Sequence, residues 1–171
     1  MAHMPHLRVR VLGGLAIEGV DQAALGSRKQ RRLLARLAVA RGAAVSVDEL
    51  ADDLWGEAQP ASPRDQVAVL ASRLRSALPD GCISRHDAGY ALVAQWSDVD
   101  ALVERSQEAT RRAAEQRWAT AAEAARAALA LVRGPVLPEL AETDWVVVEQ
   151  EVVSQHPAGP AGTRAGRARR R

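Results

Sequence analysis

Residues 62–78, Ser-Pro-Arg-Asp-Gln-Val-Ala-Val-Leu-Ala-Ser-Arg-Leu-Arg-Ser-Ala-Leu, reconcile their apolar and charged members as a helix with two opposed faces. Val67, Leu70, Ala71, Leu74 and Leu78 recur at helical spacing on one side, while Gln66, Val69, Ser72, Arg73 and Ser76 fall away from it. Ser62 is placed to be the N-cap, and Pro63 the first helical residue, where its missing N–H costs nothing. Leu78-Pro79-Asp80-Gly81 then ends the helix. An ordinary surface helix buries one stripe and leaves the other in water. A polar face bearing guanidinium groups also suits nucleic acid, and the flanking segments decide between the two.

Before this helix, Leu7 to Leu12 alternates apolar and basic residues, and Gly13-Gly14 separates it from Leu15 to Glu18, the pattern of a short antiparallel pair. Ser27 caps a helix from about Arg28 to Ala40, with Leu33, Leu34, Leu37 and Ala38 inward, Lys29, Arg32 and Arg36 outward, and Gly42 past its end. Ser46 and Glu49 have capping-box spacing and open a short helix that runs to Trp55 and closes at Gly56. After the 62–78 helix, Cys82 to His86 and Tyr90 to Val93 flank Asp87-Ala88-Gly89 as a hairpin. Strand, strand, three helices and hairpin are the plan of a winged helix, in which the third helix enters the major groove beside the hairpin.

From residue 97 the character changes to Ala-rich helices: Ser97-Asp98 to about Gln116, Trp118 to Val132, and an apolar helix through Trp145 and Val152. Paired helices with small residues at their contacts resemble tetratricopeptide-like hairpins, although a plain bundle satisfies the same pattern. Residues 157–171 contain only Gly, Pro, Ala, Thr and Arg and are expected to be disordered. The expected fold is thus an α+β winged helix-turn-helix over 7–96, an all-α segment over 97–156, and a basic tail.

Composition narrows the function. Residues 1–96 carry 12 basic against 10 acidic side chains, residues 97–156 carry 6 against 11, and residues 157–171 carry 5 against none. The basic balance therefore comes from the tail, and the placement of arginines is better evidence than the total. Aromatic residues make up 3% of the chain, with no Phe, so Leu, Val and Ala must build the core. One cysteine, Cys82, excludes an internal disulfide and multi-cysteine zinc motifs and fits an intracellular location. No membrane span is expected. Four scattered histidines give no metal-ligand spacing, and Gly13-Gly14 lacks dinucleotide-binding spacing, so no catalytic residue, metal or cofactor is expected.

Leu25 to Arg31, Val45 to Leu50, Leu54-Trp55-Gly56, Ser72 to Arg75 and Gly89-Tyr90, in this order, resemble an OmpR-type winged helix. More closely, they resemble the Streptomyces antibiotic regulatory protein family. Ala127 to Pro135 is similar to the opening of the bacterial transcriptional activator domain that follows in that family, and this likeness fades after Gln155. The resemblance implies a DNA-binding regulator that seats on direct repeats in promoters, recruits RNA polymerase, and pairs as a homodimer on tandem repeats in the cytoplasm at the nucleoid. It implies base contacts by Gln66, Val69 and Arg73, with Arg73 suited to a guanine edge and Val69 to a thymine methyl. Arg28, Lys29, Trp55, Arg64, Ser72, Arg75 and Tyr90 would meet phosphates, and Arg85 or His86 would sit at the wing tip.

Each of these residues has a plainer role open to it. Trp55 and Tyr90 are core anchors whose polar tips alone would reach phosphate, the arginines make a solvated face, and His86 is an ordinary loop histidine. Asp65, on the presented face, repels phosphate unless it pairs with Arg64 or reads a cytosine amino group. A second function, a protein-interaction module in which the acidic helical half docks a partner and the winged helix is scaffold, predicts no salt-dependent DNA binding.

Overall fold

Among the described residues, two small sheets and six α-helices share one apolar core. The structure, a computed structural model, describes residues 6–87 and 89–156. Strand β1 (Arg8–Arg10) pairs antiparallel with β2 (Ala16–Ile17), with Val9 opposite Ile17. Helices α1 (Arg28–Val39), α2 (Val47–Trp55) and α3 (Pro63–Ala77) follow, with the two-residue strand β3 (Val45–Ser46) between α1 and α2. The wing strands β4 (Ile83–Arg85) and β5 (Gly89–Leu92) come next, then β6 (Trp96–Ser97). Helices α4 (Asp98–Ala114), α5 (Trp118–Leu129) and α6 (Asp144–Ser154) complete the chain. The architecture is an α+β winged helix-turn-helix followed by a helical part, as the sequence implies. No helix among the described residues is long and apolar enough to cross a membrane. The tail 157–171 lies outside the described residues.

Helix starts follow their caps. The Ser27 hydroxyl accepts from the Gln30 N–H at 3.3 Å while the Gln30 side chain accepts from the Ser27 N–H at 3.2 Å. Ser46 and Glu49 form the same reciprocal pair, and the hydrogen bonds from Ser46 hold the Glu49 carboxyl below its ordinary range. At α3 the expected cap fails: Ser62 makes no side-chain capping bond. Packing compensates. Val67, Ala71 and Leu74 are completely buried, and burying a valine or leucine side chain stabilises by about 1.5–3 kcal/mol, more than the roughly 1 kcal/mol a serine cap supplies.

Four further features depart from the sequence reading. The wing has three strands in the order β3-β5-β4, with Val45 opposite Tyr90. The N-terminal pair is likewise a three-stranded sheet, β2-β1-β6, closed by β6 running parallel to β1. Arg36, expected outward, is largely buried: its Nε donates to Asp53 at 2.8 Å and its guanidinium lies over the Trp145 ring at 5.8 Å. The helices α4 and α5 also end earlier than expected, at Ala114 and Leu129.

The end of β1 joins the two halves. Asp98, 1% exposed at the start of α4, accepts from the Val11 N–H at 2.9 Å and from the Leu12 N–H at 3.0 Å. The Arg133 guanidinium stands 3.7 Å away. Burial pushes the Asp98 carboxyl up from its ordinary range, against the lowering pull of the Val11 and Leu12 N–H groups, Arg133 and the Val99 N–H. Leu137 donates its N–H to the Val11 carbonyl at 2.9 Å, and Gly13 donates to the Pro135 carbonyl at 2.8 Å. Gly13 is at φ +88°, and a Cβ there would lie 3.1 Å from the Arg133 backbone, so glycine fits both the conformation and the approach. The core consequently runs without a break from Leu7 through Leu34 and Leu74 to Leu102 and Val153.

Candidate nucleic-acid interface

Helix α3 is fixed by its buried stripe and presents the opposite one. Val67, Leu70, Ala71 and Leu74 face inward against α1 and α2. Gln66, Val69, Ser72, Arg73 and Ser76 are exposed, Val69 at 42%. The Ser76 hydroxyl turns back to the Ser72 carbonyl at 3.3 Å. The side chains of Gln66, Ser72 and Arg73 have no hydrogen bond or ion pair among the described residues. A guanidinium, an amide, a hydroxyl and an isopropyl group therefore share one solvated stripe, with donors, acceptors and a methyl surface of the kinds that read base edges.

Around this stripe the expected phosphate contacts divide into free and engaged groups. Arg28, in the first turn of α1, is exposed and without a partner among the described residues. Lys29 donates to the Leu54 carbonyl at 2.8 Å and lies 5.0 Å from the centre of the Trp55 ring, so half-buried Trp55 orients this ammonium at the last turn of α2. Arg64 is paired with Asp48 of α2 at 3.0 Å, both side chains largely exposed, a contact worth little in water and readily exchanged.

At the junction with the wing, Arg75 donates from Nε to the Ile83 carbonyl at 3.1 Å, and its guanidinium lies 5.5 Å from the centre of the Tyr90 ring. Tyr90 corrects one expectation. Only 3% exposed, it is a core residue that supports Arg75 and offers too little surface for a phosphate contact of its own. On the hairpin, Arg85 and His86 are exposed, and the His86 ring is hydrogen-bonded to the Ser84 hydroxyl at 3.0 Å. The turn closes through reciprocal backbone bonds between His86 and Gly89. A Cβ on Gly89 would lie 1.8 Å from the Val45 carbonyl oxygen, so this glycine lets β5 lie against β3. The sequence signalled Gly89 as a turn residue; its contact with Val45 had no local signal, because β3 is two residues long and Ser46 doubles as a helix cap.

Of the two alternatives the sequence leaves open for Asp65, pairing with Arg64 closes. Its neighbour Arg64 turns to Asp48 instead, and Asp65 has no hydrogen bond or ion pair among the described residues.

Comparison with known proteins agrees with this geometry. Residues 21–92 match the family model described as transcriptional regulatory protein, C terminal, and residues 97–158 match the bacterial transcriptional activator domain. The chain is 40% identical over 87 residues to Regulatory protein AfsR of Streptomyces coelicolor, covering 50% of this chain and 9% of AfsR. It is 29% identical over 159 residues to Transcriptional regulatory protein MoaR1 of Mycobacterium tuberculosis, covering 84% of this chain and 51% of MoaR1. The chain thus spans a small part of AfsR and about half of MoaR1. Among solved structures, that of Mycobacterium tuberculosis EmbR in complex with a low affinity phosphopeptide aligns with a TM-score of 0.76 at 29% identity, covering 88% of this chain and 42% of that one. Two family matches in the same order as the winged helix and the helical part, together with the AfsR likeness, place the chain: it belongs to the Streptomyces antibiotic regulatory protein family of transcriptional regulators, with an OmpR-type DNA-binding domain and a bacterial transcriptional activator domain.

Proposed function

We propose that the chain binds duplex DNA sequence-specifically and activates transcription from promoters of a biosynthetic gene cluster. In this reading residues 7–96 are the DNA-binding unit and residues 97–156 the activator unit. Copies seat side by side on direct repeats as a homodimer and recruit RNA polymerase, in the cytoplasm at the nucleoid. The observation that carries the reading is the solvated stripe of α3, where Gln66, Val69 and Arg73 stand exposed while the other face of the helix is locked in the core. Gln66, Val69 and Arg73 read bases; Arg28, Lys29, Trp55, Arg64, Ser72 and Arg75 hold phosphates; Arg85 and His86 reach the backbone beside the groove. No catalytic group, metal or cofactor enters this account.

Footprinting on promoter DNA tests it, with wild type and Arg73→Ala compared on the protected duplex and on random duplex. The substitution weakens binding to the protected sequence by about 1–3 kcal/mol and flattens base preference at one position. Equal losses on both duplexes would remove Arg73 from base readout.

A second reading, a protein-interaction module, is favoured by one observation. Among the described residues, four of the five large exposed hydrophobic side chains, Trp118, Leu129, Val147 and Val148, lie in the helical half, Trp118 at 66% exposure. Salt-independent behaviour and no footprint would support it over DNA binding.

A further inference from the structure

One group on the presented face of α3 is repelled by a polyanion. Asp65 lies in the first turn, exposed, and precedes Val69 and Arg73 by four and eight residues, which puts all three on one stripe. The nearby acids have partners: Asp48 holds Arg64, and Asp52 accepts from the Gln59 side-chain amide at 2.5 Å. Asp65 alone among these three has no hydrogen bond or ion pair among the described residues. A carboxylate in a first turn suits the helix dipole, but the dipole does not require it to stand in line with the base readers.

We infer that Asp65 is a specificity-determining residue that accepts a hydrogen bond from the exocyclic amine of a cytosine in the major groove. This rests on the DNA-binding reading above. A carboxylate accepts only, so it needs a donor on the duplex, and the major groove offers two, cytosine N4 and adenine N6. Adenine sets its N6 donor between its own N7 and the thymine O4, two acceptors that repel a carboxylate. Cytosine N4 has an acceptor on one side only, so the carboxylate approaches it with less repulsion. Thymine and guanine offer it no base-edge donor in that groove. The eight residue steps from Asp65 to Arg73 span about 12 Å of helix, so at about 3.4 Å per base pair the cytosine lies within about four base pairs of the guanine read by Arg73.

The test is selection of binding duplexes from a randomised pool by the full chain in three forms, wild type, Asp65→Ala and Asp65→Asn. The affinity of each for its selected duplex and for random duplex is then measured. Wild type selects a cytosine at one position, and replacing it weakens binding about 5- to 150-fold. In Asp65→Ala that position becomes indifferent, and in Asp65→Asn it shifts toward adenine, whose N6 and N7 an amide matches. Both variants bind random duplex more tightly than wild type, because a negative charge has left the interface. The same motif selected by all three forms overturns the assignment of Asp65 while leaving DNA binding intact. A wild type that selects no motif, or binds no duplex, overturns the DNA-binding reading and this inference with it.

Discussion

Arg73 on α3 and the pair Arg111 and Arg112 on α4 sit on helices of similar length and have opposite fates. Arg111 and Arg112 both pair with Glu108, three and four residues earlier on α4, and Arg117 pairs with Glu115. Arg73 has Val69, Leu70, Ser76 and Ala77 at the corresponding positions, none of them acidic. An arginine with a carboxylate one turn away is neutralised locally, whereas one without is left to act on something else. The lesson is that availability is decided residue by residue. The helical half has six basic side chains against eleven acidic, and the cations it has are mostly engaged within it.

The strongest way to break this contrast is to part β5 of the wing from β3, which disturbs the sheet that flanks α3. Gly89→Ala forces a Cβ against the Val45 carbonyl, and we expect it to destabilise by about 3 kcal/mol or more, read as a drop in Tm together with lost DNA binding. A variant that melts like wild type would mean that β3 and β5 part without consequence.

Next in size is the link between the regions. Asp98→Asn keeps the shape but turns an amide donor toward backbone donors, and destabilises by about 1–3 kcal/mol. Its pH dependence has a definite sign. The Asp98 carboxyl is raised by burial in the folded chain, so its stabilising contribution is complete below the unfolded-state value and is lost as pH rises through the folded one. The deficit of the variant is therefore largest at acidic pH and narrows upward, which unfolding curves across the carboxylate range will show; a deficit that widens with pH contradicts it.

The smallest effect belongs to the engaged arginines. Glu108→Gln removes the ion-pair partner of Arg111 and Arg112, costs about 0.3–0.5 kcal/mol, and leaves affinity for the specific duplex within about twofold. A change as large as that from Arg73→Ala would erase the distinction between the two helices.

Much of this was legible before the fold. The stripe of α3 follows from a 3.6-residue period with no acid one turn from Arg73, and the capping box at Ser46 and the cap at Ser27 mark where two helices begin. What sequence could not supply came from elements meeting across the chain. Arg36 reads as outward on α1 because nothing in its own helix announces that Asp53 and Trp145 will cover it. Tyr90 reads as half-available until β3 lies beside it. The parallel strand β6 is two residues long, too short for alternation to mark. Asp98 looks like a helix-opening acid, a local role, while its carboxylate serves Val11 and Leu12, 87 and 86 residues away.

The pairing of β1 with β6, Arg8 opposite Trp96 and Val9 opposite Ser97, has a directional consequence. The chain passes from the wing into α4 through a strand held in a sheet, so the helical half is joined to the winged helix by a paired strand. A copy seated on DNA would then hold its helical half in one orientation, set by which way its binding sequence reads. Two copies on repeats of the same orientation would line up head to tail with like faces toward the same flank, and inverting one repeat would turn that copy's face away.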